Sequence, residues 1–188
     1  MLRPKHLLMT VFLAGTAAAL ASTNAWKEFG TRDFSIMYPA NWYRFGVTPD
    51  ELDLRSSKGG AEGVVIKDNQ ACISVKEEPA SSGKTLAAVI NYYNKEGTIL
   101  SRADISGGRG SGEGCRDLKR VVVKDPVVPP EDLPKRTKVP YFIYTEFFCE
   151  MNGPKFVTLI QQHWEGDERQ EHYQQVALRM AESIRKGK

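Results

Sequence analysis

The sequence predicts an α+β sandwich, in which several antiparallel strands form a sheet and helices cover its faces. Two observations carry this prediction. Short β-rich runs occur in the first half and again near residues 139 to 163, as expected of strands. Two further stretches, near residues 86 to 93 and 173 to 184, repeat apolar residues at helical spacing. Residues 22 to 188 have a length that fits a single domain with one hydrophobic core.

The first 21 residues are typical of a secretory signal rather than of folded structure. Basic residues at positions 3 and 5 precede an apolar run from 7 to 21 that is too short to span a bilayer comfortably. Small residues favour cleavage after Ala21, and a second register would cleave after Ala25. We therefore expect a periplasmic or secreted protein that keeps no membrane-spanning segment once the signal is removed.

The charge balance argues against a nucleic-acid partner. The chain has 26 basic and 23 acidic side chains, a net charge of +3, and two of the basic ones leave with the signal. The mature protein is then close to neutral, whereas binding to nucleic acid or to an anionic membrane needs a clustered basic face.

The first half of the chain predicts three strands. Phe34, Ile36 and Tyr38 alternate with Ser35 and Met37, and Pro39 ends the run. Two short runs, 64 to 66 and 71 to 75, flank a polar turn and predict a hairpin.

Two helices are predicted from apolar stripes with a spacing of three and four residues. The first has about three turns, with Gly97 as its C-terminal cap, and its stripe is Leu86, Val89, Ile90 and Tyr93. The second ends the chain, with Asp167 and Gln170 spaced as a capping box, and its stripe is Tyr173, Val176, Ala177, Met180, Ala181 and Ile184.

The segment from 124 to 138 contains four prolines, so it is expected to stay outside the sheet on the surface. A glycine-rich stretch at 107 to 114 is expected to form a bend before the strand that ends at residues 121 to 123. Extended, proline-stiffened segments lose little conformational entropy on docking, and Val127, Val128 and Leu133 supply apolar anchors. These three residues are our candidate partner-binding site, and a solvated linker is the alternative.

The clearest hairpin joins the runs 141 to 149 and 155 to 163 through Met151-Asn152-Gly153-Pro154. It also bears on the cysteines at 72, 115 and 149. If the strand at 115 to 123 pairs antiparallel with the strand at 139 to 149 and Val123 lies opposite Tyr141, then Cys115 lies opposite Cys149. An oxidising compartment would join these two as a disulfide and leave Cys72 as a small buried residue.

Two motifs resemble the PsbP-like families, which include the photosystem II extrinsic protein PsbP and DcrB-type bacterial envelope proteins. One is Asp33-Phe34-Ser35-Ile36-Met37-Tyr38-Pro39-Ala40-Asn41-Trp42, and the other is the closing Ala181-Glu182-Ser183-Ile184-Arg185. The resemblance implies an α-β-α sandwich on a mostly antiparallel sheet that serves as a non-catalytic assembly or binding module. The aromatic residues of the first motif are interpreted as core, with ligand stacking on Trp42 as the alternative.

No catalytic set is visible in the sequence, and we expect no enzyme activity. There is no nucleophile elbow, and Ser82-Gly83-Lys84-Thr85 lacks the upstream glycine of a phosphate-binding loop. No cofactor is expected either, apart from zinc or another divalent ion at His163, Glu165 and His172. His163 and Glu165 would share one side of an extended segment, with His172 at the start of the next helix. A polar connection between strand and helix explains the same residues.

The sequence thus favours an exported, non-catalytic PsbP-like accessory or scaffold protein that binds a protein complex of the cell envelope. The alternative is a periplasmic protein that binds a small molecule or a metal ion between sheet and helix. The oligomeric state stays open at this point.

Overall fold

A computed structural model of the chain describes residues 25–45, 48, 51–57, 70–78, 85–93, 97–105, 114–127, 140–151 and 155–187. The strands are β1 (Trp26–Gly30), β2 (Phe34–Pro39), β3 (Tyr43–Arg44), β4 (Glu51–Arg55), β5 (Cys72–Glu78), β6 (Thr98–Asp104), β7 (Cys115–Pro126), β8 (Tyr141–Met151), β9 (Phe156–Trp164) and β10 (Arg185–Lys186). The helices are α1 (Leu86–Tyr93) and α2 (Gln170–Glu182). Neither helix is long and apolar enough to cross a membrane.

Seven strands form the main sheet, in the order β3-β4-β5-β9-β8-β7-β6, and every neighbouring pair is antiparallel. A smaller sheet has the order β1-β2-β10. The prediction of an α+β fold on a mostly antiparallel sheet is confirmed.

The main sheet is buried on both faces, as two adjacent residues of β8 show. Phe147 and Phe148 are both fully buried, yet successive residues of a strand point to opposite faces. Phe147 belongs to the larger core, which the main sheet shares with α2, β1 and β2. Phe148 belongs to a smaller core beneath α1. The helices therefore cover different faces, which gives the layer order helix, sheet, helix.

The most local predictions are confirmed. In β2, Phe34 and Ile36 are buried in the larger core, and the strand ends at Pro39. The runs around residue 153 form the antiparallel pair β8 and β9, in which Glu146 lies opposite Ile160. Trp42 is buried and lies edge-on to Tyr173, with 6.2 Å between ring centroids, so its role is in the core rather than in ligand stacking.

The predicted strand at 71 to 75 is confirmed as β5, but its predicted pairing with residues 64 to 66 in a hairpin is wrong. β5 pairs with β4 on one side and with β9 on the other, so both of its edges are occupied. Residues 64 to 66 lie outside the described residues. The sequence argument missed β4 because only Leu52 and Leu54 are apolar there, and the other three residues are charged.

The structure tests the start of α2, which differs from the prediction, but not the end of α1. The described part of α1 has eight residues, about two turns, and residues 94 to 96, between it and the predicted cap Gly97, lie outside the described residues. At α2 the N-cap residue is Arg169, and Gln170 is the first helical residue, which is too early for a capping box. Asp167 lies in the turn before the helix, where its Oδ1 accepts a hydrogen bond from the Arg169 N–H at 2.8 Å.

The proline-rich segment begins inside the sheet, contrary to the prediction. β7 continues to Pro126, which lies opposite Tyr141 of β8. A proline is tolerated there because it is the last residue of the strand and no further ladder bond has to follow it. Residues 128 to 139 lie outside the described residues.

Candidate functional site

The three residues predicted to bind a metal ion do not come together. His163 is completely buried, and its Nδ1 lies 2.9 Å from the amide nitrogen of Gln161. Glu165 is on the surface, where its carboxylate pairs with Lys124 at 2.5 Å. His172 lies on the exposed side of α2. The strand ends at Trp164, so Glu165 does not continue the alternation that would place it beside His163. Among the described residues no group of three His, Cys, Asp or Glu side chains is placed to hold a metal ion.

His163 instead belongs to a polar cluster inside the core. Gln161 lies opposite Thr145 of β8, both side chains are buried, and the ring of Tyr173 on α2 packs against the imidazole at 6.3 Å between centroids. Burial lowers the pKa of His163, and the nearby carboxylate of Asp167 opposes this shift. A closed cluster of this kind favours one packing of α2 on the sheet, but it gives no access to a ligand.

The cysteines are joined as the sequence argument chose, but in a different strand register. A disulfide links Cys115 to Cys149 across 5.2 Å between Cα atoms. Val123 lies opposite Tyr144 rather than Tyr141, and a bulge just after Cys115 shifts the pairing there. The two cysteines are therefore diagonal neighbours, since Cys149 lies opposite Leu118. Cys72 is free and half-buried, and burial raises the pKa of its thiol.

Of the predicted partner-binding residues, the structure describes only Val127. It is half-buried, and its N–H donates a hydrogen bond to the Pro140 carbonyl at 3.0 Å. Val128 and Leu133 lie outside the described residues, as does the predicted cleavage site at Ala21. Ala25, the alternative cleavage position, is the first described residue.

A groove of about 410 Å³ lies between α1 and the strands β6 and β7. Its apolar part includes Ala87, Ile90 and Val121, and its charged part includes Arg102 and Asp104. Lys119 pairs there with Asp104 at 2.7 Å and with Asp117 at 3.1 Å. The groove thus has one edge of apolar helix side chains and one edge of paired charges.

The opposite edge of the main sheet presents two exposed aromatic rings and two arginines, a surface that we call the β3 edge (residues 43, 44, 45 and 55). Tyr43 and Phe45 are each 44% exposed. The guanidinium of Arg55 lies 4.3 Å from the centre of the Phe45 ring. Arg44 points the other way and lies 4.9 Å from the centre of the Phe29 ring.

The backbone of both aromatic residues of the β3 edge is paired with β4. Tyr43 lies opposite Arg55, and the Phe45 N–H donates a hydrogen bond to the Asp53 carbonyl at 3.0 Å. Tyr43 and Phe45 are two residues apart and therefore point to the same side. The sequence analysis missed this surface. The sequence feature that could have revealed this surface is the alternation of aromatic and basic residues in Tyr43-Arg44-Phe45, directly after Trp42.

Comparison with known proteins supports the fold. No family model matches the chain, and no curated protein matches its sequence. Among solved structures, the chain is similar to the Ran-binding protein Mog1p of Saccharomyces cerevisiae, with a TM-score of 0.52, 11% identity, and coverage of 85% of this chain and 94% of that one. It is also similar to a mutant of protein Mog1, with a TM-score of 0.54 and the same identity and coverage.

These likenesses overturn the resemblance to the PsbP-like families. Mog1 is a different family from PsbP, and at 11% identity the likeness shows the fold alone. The two motifs misled the sequence argument because of what their residues do. Phe34, Ile36, Trp42 and Ile184 are all core residues, so the motifs report burial next to a turn or helix end, which unrelated chains share.

Proposed function

We propose that this chain is an exported, non-catalytic accessory domain that binds a protein of the cell envelope through the β3 edge. The observation that carries the proposal is the pair of exposed aromatic rings, Tyr43 and Phe45, beside two stacked arginines. Aromatic residues and arginine are the residue types enriched at protein interfaces and among the residues that dominate binding energy.

The β3 edge is also held in a fixed arrangement before any partner binds. Arg55 stacks on Phe45, Arg44 stacks on Phe29, and the backbone of Phe45 is bonded to β4. Association costs conformational entropy for each flexible side chain that becomes ordered. Side chains that are already ordered reduce this cost, so a small surface of this kind is suited to recognition.

The chemistry of the β3 edge defines the partner surface that fits it. Two aromatic rings offer apolar area, and Arg44 and Arg55 bring positive charge. The complementary surface is an apolar patch that carries carboxylates, because opposite charges steer association and fix its orientation.

The fold supports binding rather than catalysis. One of the similar solved structures is named as a Ran-binding protein, so a similar fold serves recognition of a protein in at least that case. Of the two histidines that follow the signal, His163 is buried against Gln161 and Tyr173, and the ring of His172, on the exposed side of α2, lies 6.0 Å from that of Tyr173. Within the described residues neither is hydrogen-bonded to a serine or cysteine that it could activate.

Two features support export. The first 21 residues have the composition of a secretory signal. The Cys115–Cys149 disulfide fits an oxidising compartment, since disulfides are rare in proteins that remain in the reducing cytosol.

Site-specific photo-crosslinking in living cells tests the proposal. A photoreactive phenylalanine analogue replaces Tyr43 in one strain and Tyr92 in a matched control strain. Tyr92 is also an exposed aromatic residue, at 63%, but it lies on α1 near the other edge of the sheet. We expect a discrete adduct with one envelope protein at position 43 and none at position 92, and Arg44→Glu should abolish it.

Three outcomes would contradict the proposal. An adduct with the same envelope protein, in equal yield at positions 43 and 92, would show that the β3 edge is not the binding surface. If the protein is folded and abundant but gives no adduct at position 43, the β3 edge is not a binding surface. Recovery of the intact chain with its first 21 residues from the cytoplasm would exclude export.

A further inference from the structure

Strand β6 lies at the edge of the main sheet. It is the last strand in the order, and among the described residues it pairs with β7 alone. Five of its seven residues are exposed, so no described element covers its outer side. Unpaired edge backbone of this length is a template for pairing with another strand.

The hydrogen bonds to β7 identify which residues of β6 face outward. The N–H of Ile105, just after β6, donates to the Leu118 carbonyl of β7 at 2.9 Å. Backbone groups alternate in direction along an antiparallel strand. The N–H and C=O of Ala103 therefore point to β7, and those of Arg102 and Asp104 point away from it.

The outward groups allow three antiparallel registers with a second β6 strand. Arg102 can lie opposite Arg102, Asp104 can lie opposite Asp104, or Arg102 can lie opposite Asp104 of the second copy. Like charges directly opposite each other destabilise strand pairing, and opposite charges stabilise it. Only the third register brings opposite charges together, and it does so twice because the arrangement is symmetric.

We propose that this chain forms a two-fold symmetric homodimer in which the β6 strands of two copies pair antiparallel, with Arg102 of each copy opposite Asp104 of the other. The two-fold axis passes between the Ala103 residues. This is a non-hydrogen-bonded pair, where side chains come closest, and alanine leaves room for that approach.

Asp104 is free to turn toward the second copy. Its side chain is 76% exposed, and its present partner is Lys119 at 2.7 Å. Lys119 also contacts Asp117 at 3.1 Å, so it keeps a partner when Asp104 turns outward. Exchange of one exposed ion pair for a cross-strand pair costs little, because exposed ion pairs contribute little to stability.

Two features of the described residues favour an assembly of two copies. A bulge between Ile99 and Ser101 ends the regular part of β6, so the shared ladder stays short. The other edge of the main sheet is β3, which has only two residues and cannot extend the sheet further. The symmetry also places α1 and the 410 Å³ groove of both copies on the same face, next to each other.

Charge reversal tests the pairing in the exported protein, purified as the cell produces it. We expect sedimentation equilibrium to show a dimer for the wild type and loss of the dimer for Arg102→Asp and for Asp104→Arg. The first variant places two aspartates opposite each other, and the second places two arginines. An equimolar mixture of the two variants should form a heterodimer, and the double variant R102D/D104R should form a homodimer again.

Arg44→Glu at the β3 edge is the matched control and should keep the dimer. A wild type that is monomeric at every concentration would overturn the proposal. Dimers that persist in both single variants would also overturn it. So would a mixture and a double variant that stay monomeric although circular dichroism shows that these proteins are folded. Because Arg44→Glu affects only the proposed partner surface, failure of the dimer and failure of the partner interaction are distinguishable.

Discussion

The two edges of the main sheet offer different kinds of binding surface. The β3 edge has a strand of two residues and presents side chains, namely the exposed rings of Tyr43 and Phe45, the second of which is stacked by Arg55. The β6 edge has a strand of seven residues and presents backbone groups flanked by one positive and one negative side chain. A short strand offers little backbone, so its recognition depends on side chains. A long strand is recognised through its backbone, and its charges decide the register.

The two edges of the main sheet also lie next to hydrophobic cores of different size. The larger core lies beneath α2 and includes Leu52 and Leu54 of β4, next to the β3 edge. The smaller core lies beneath α1, whose three buried residues pack on β7, β8 and β9. We therefore expect the β3 side to hold more of the stability and the β6 side to open first, since local stability follows buried apolar contact.

The largest expected effect comes from the core behind the β3 edge. Trp42→Ala removes a buried ring that packs on Tyr173, and we expect the free energy of unfolding to fall by about 3–5 kcal/mol. Leu86→Ala beneath α1 is the control, and a loss near 2 kcal/mol is expected there, because a two-turn helix at the margin can settle around the smaller side chain. Urea unfolding measures both, and equal losses would show that the two cores are equally tight.

Removal of the disulfide should weaken the β6 side selectively. Cys115 and Cys149 join β7 to β8, and β6 is attached to the sheet through β7. The double variant C115A/C149A should lose about 2–4 kcal/mol of stability. Hydrogen exchange should rise in β6 and β7 more than in β4 and β5. Cys72→Ser is the control, because Cys72 is not in a disulfide and this variant keeps the Cys115–Cys149 bond. A uniform rise in hydrogen exchange across the sheet would contradict the expected difference between the edges.

Acid should have the smallest effect and should act on the larger core. His163 is buried there, and burial depresses its pKa below that of the unfolded chain. The unfolded state then binds a proton more readily, so the stability present above pH ~6.5 is lost as the pH falls toward the folded pKa. The loss is bounded by about 1.4 kcal/mol per pH unit.

Urea midpoints at pH 7.5 and 5.5 measure this loss, taken as about one unit on either side of the ordinary histidine pKa. The variant His163→Gln should show a weaker dependence on pH, because it has no proton to bind at this position. His172→Gln, on the exposed side of α2, is the control and should behave like the wild type. A wild type with the same midpoint at both pH values would contradict the expected role of His163.

Sequence reasoning succeeded where the determining interactions are local. The alternation of Phe34 and Ile36 fixed the buried side of β2, and the hairpin of β8 and β9 followed from two β-rich runs around a short turn. The stripe of α2 likewise predicted which of its residues are buried. The candidate site was not predictable in this way, since His163 and Glu165 are close in sequence but the end of β9 separates them.

By itself the sequence determined the α+β class, the burial pattern of these elements and the cysteines able to pair. The tertiary structure decided which strands are neighbours, and hence that β4 and β9 flank β5 while β3 and β6 form the edges. It also decided the register by which Cys115 reaches Cys149. The physical reason is that alternation tells which side of a strand is buried but not which strand lies beside it. That choice depends on how all the apolar faces are covered at once.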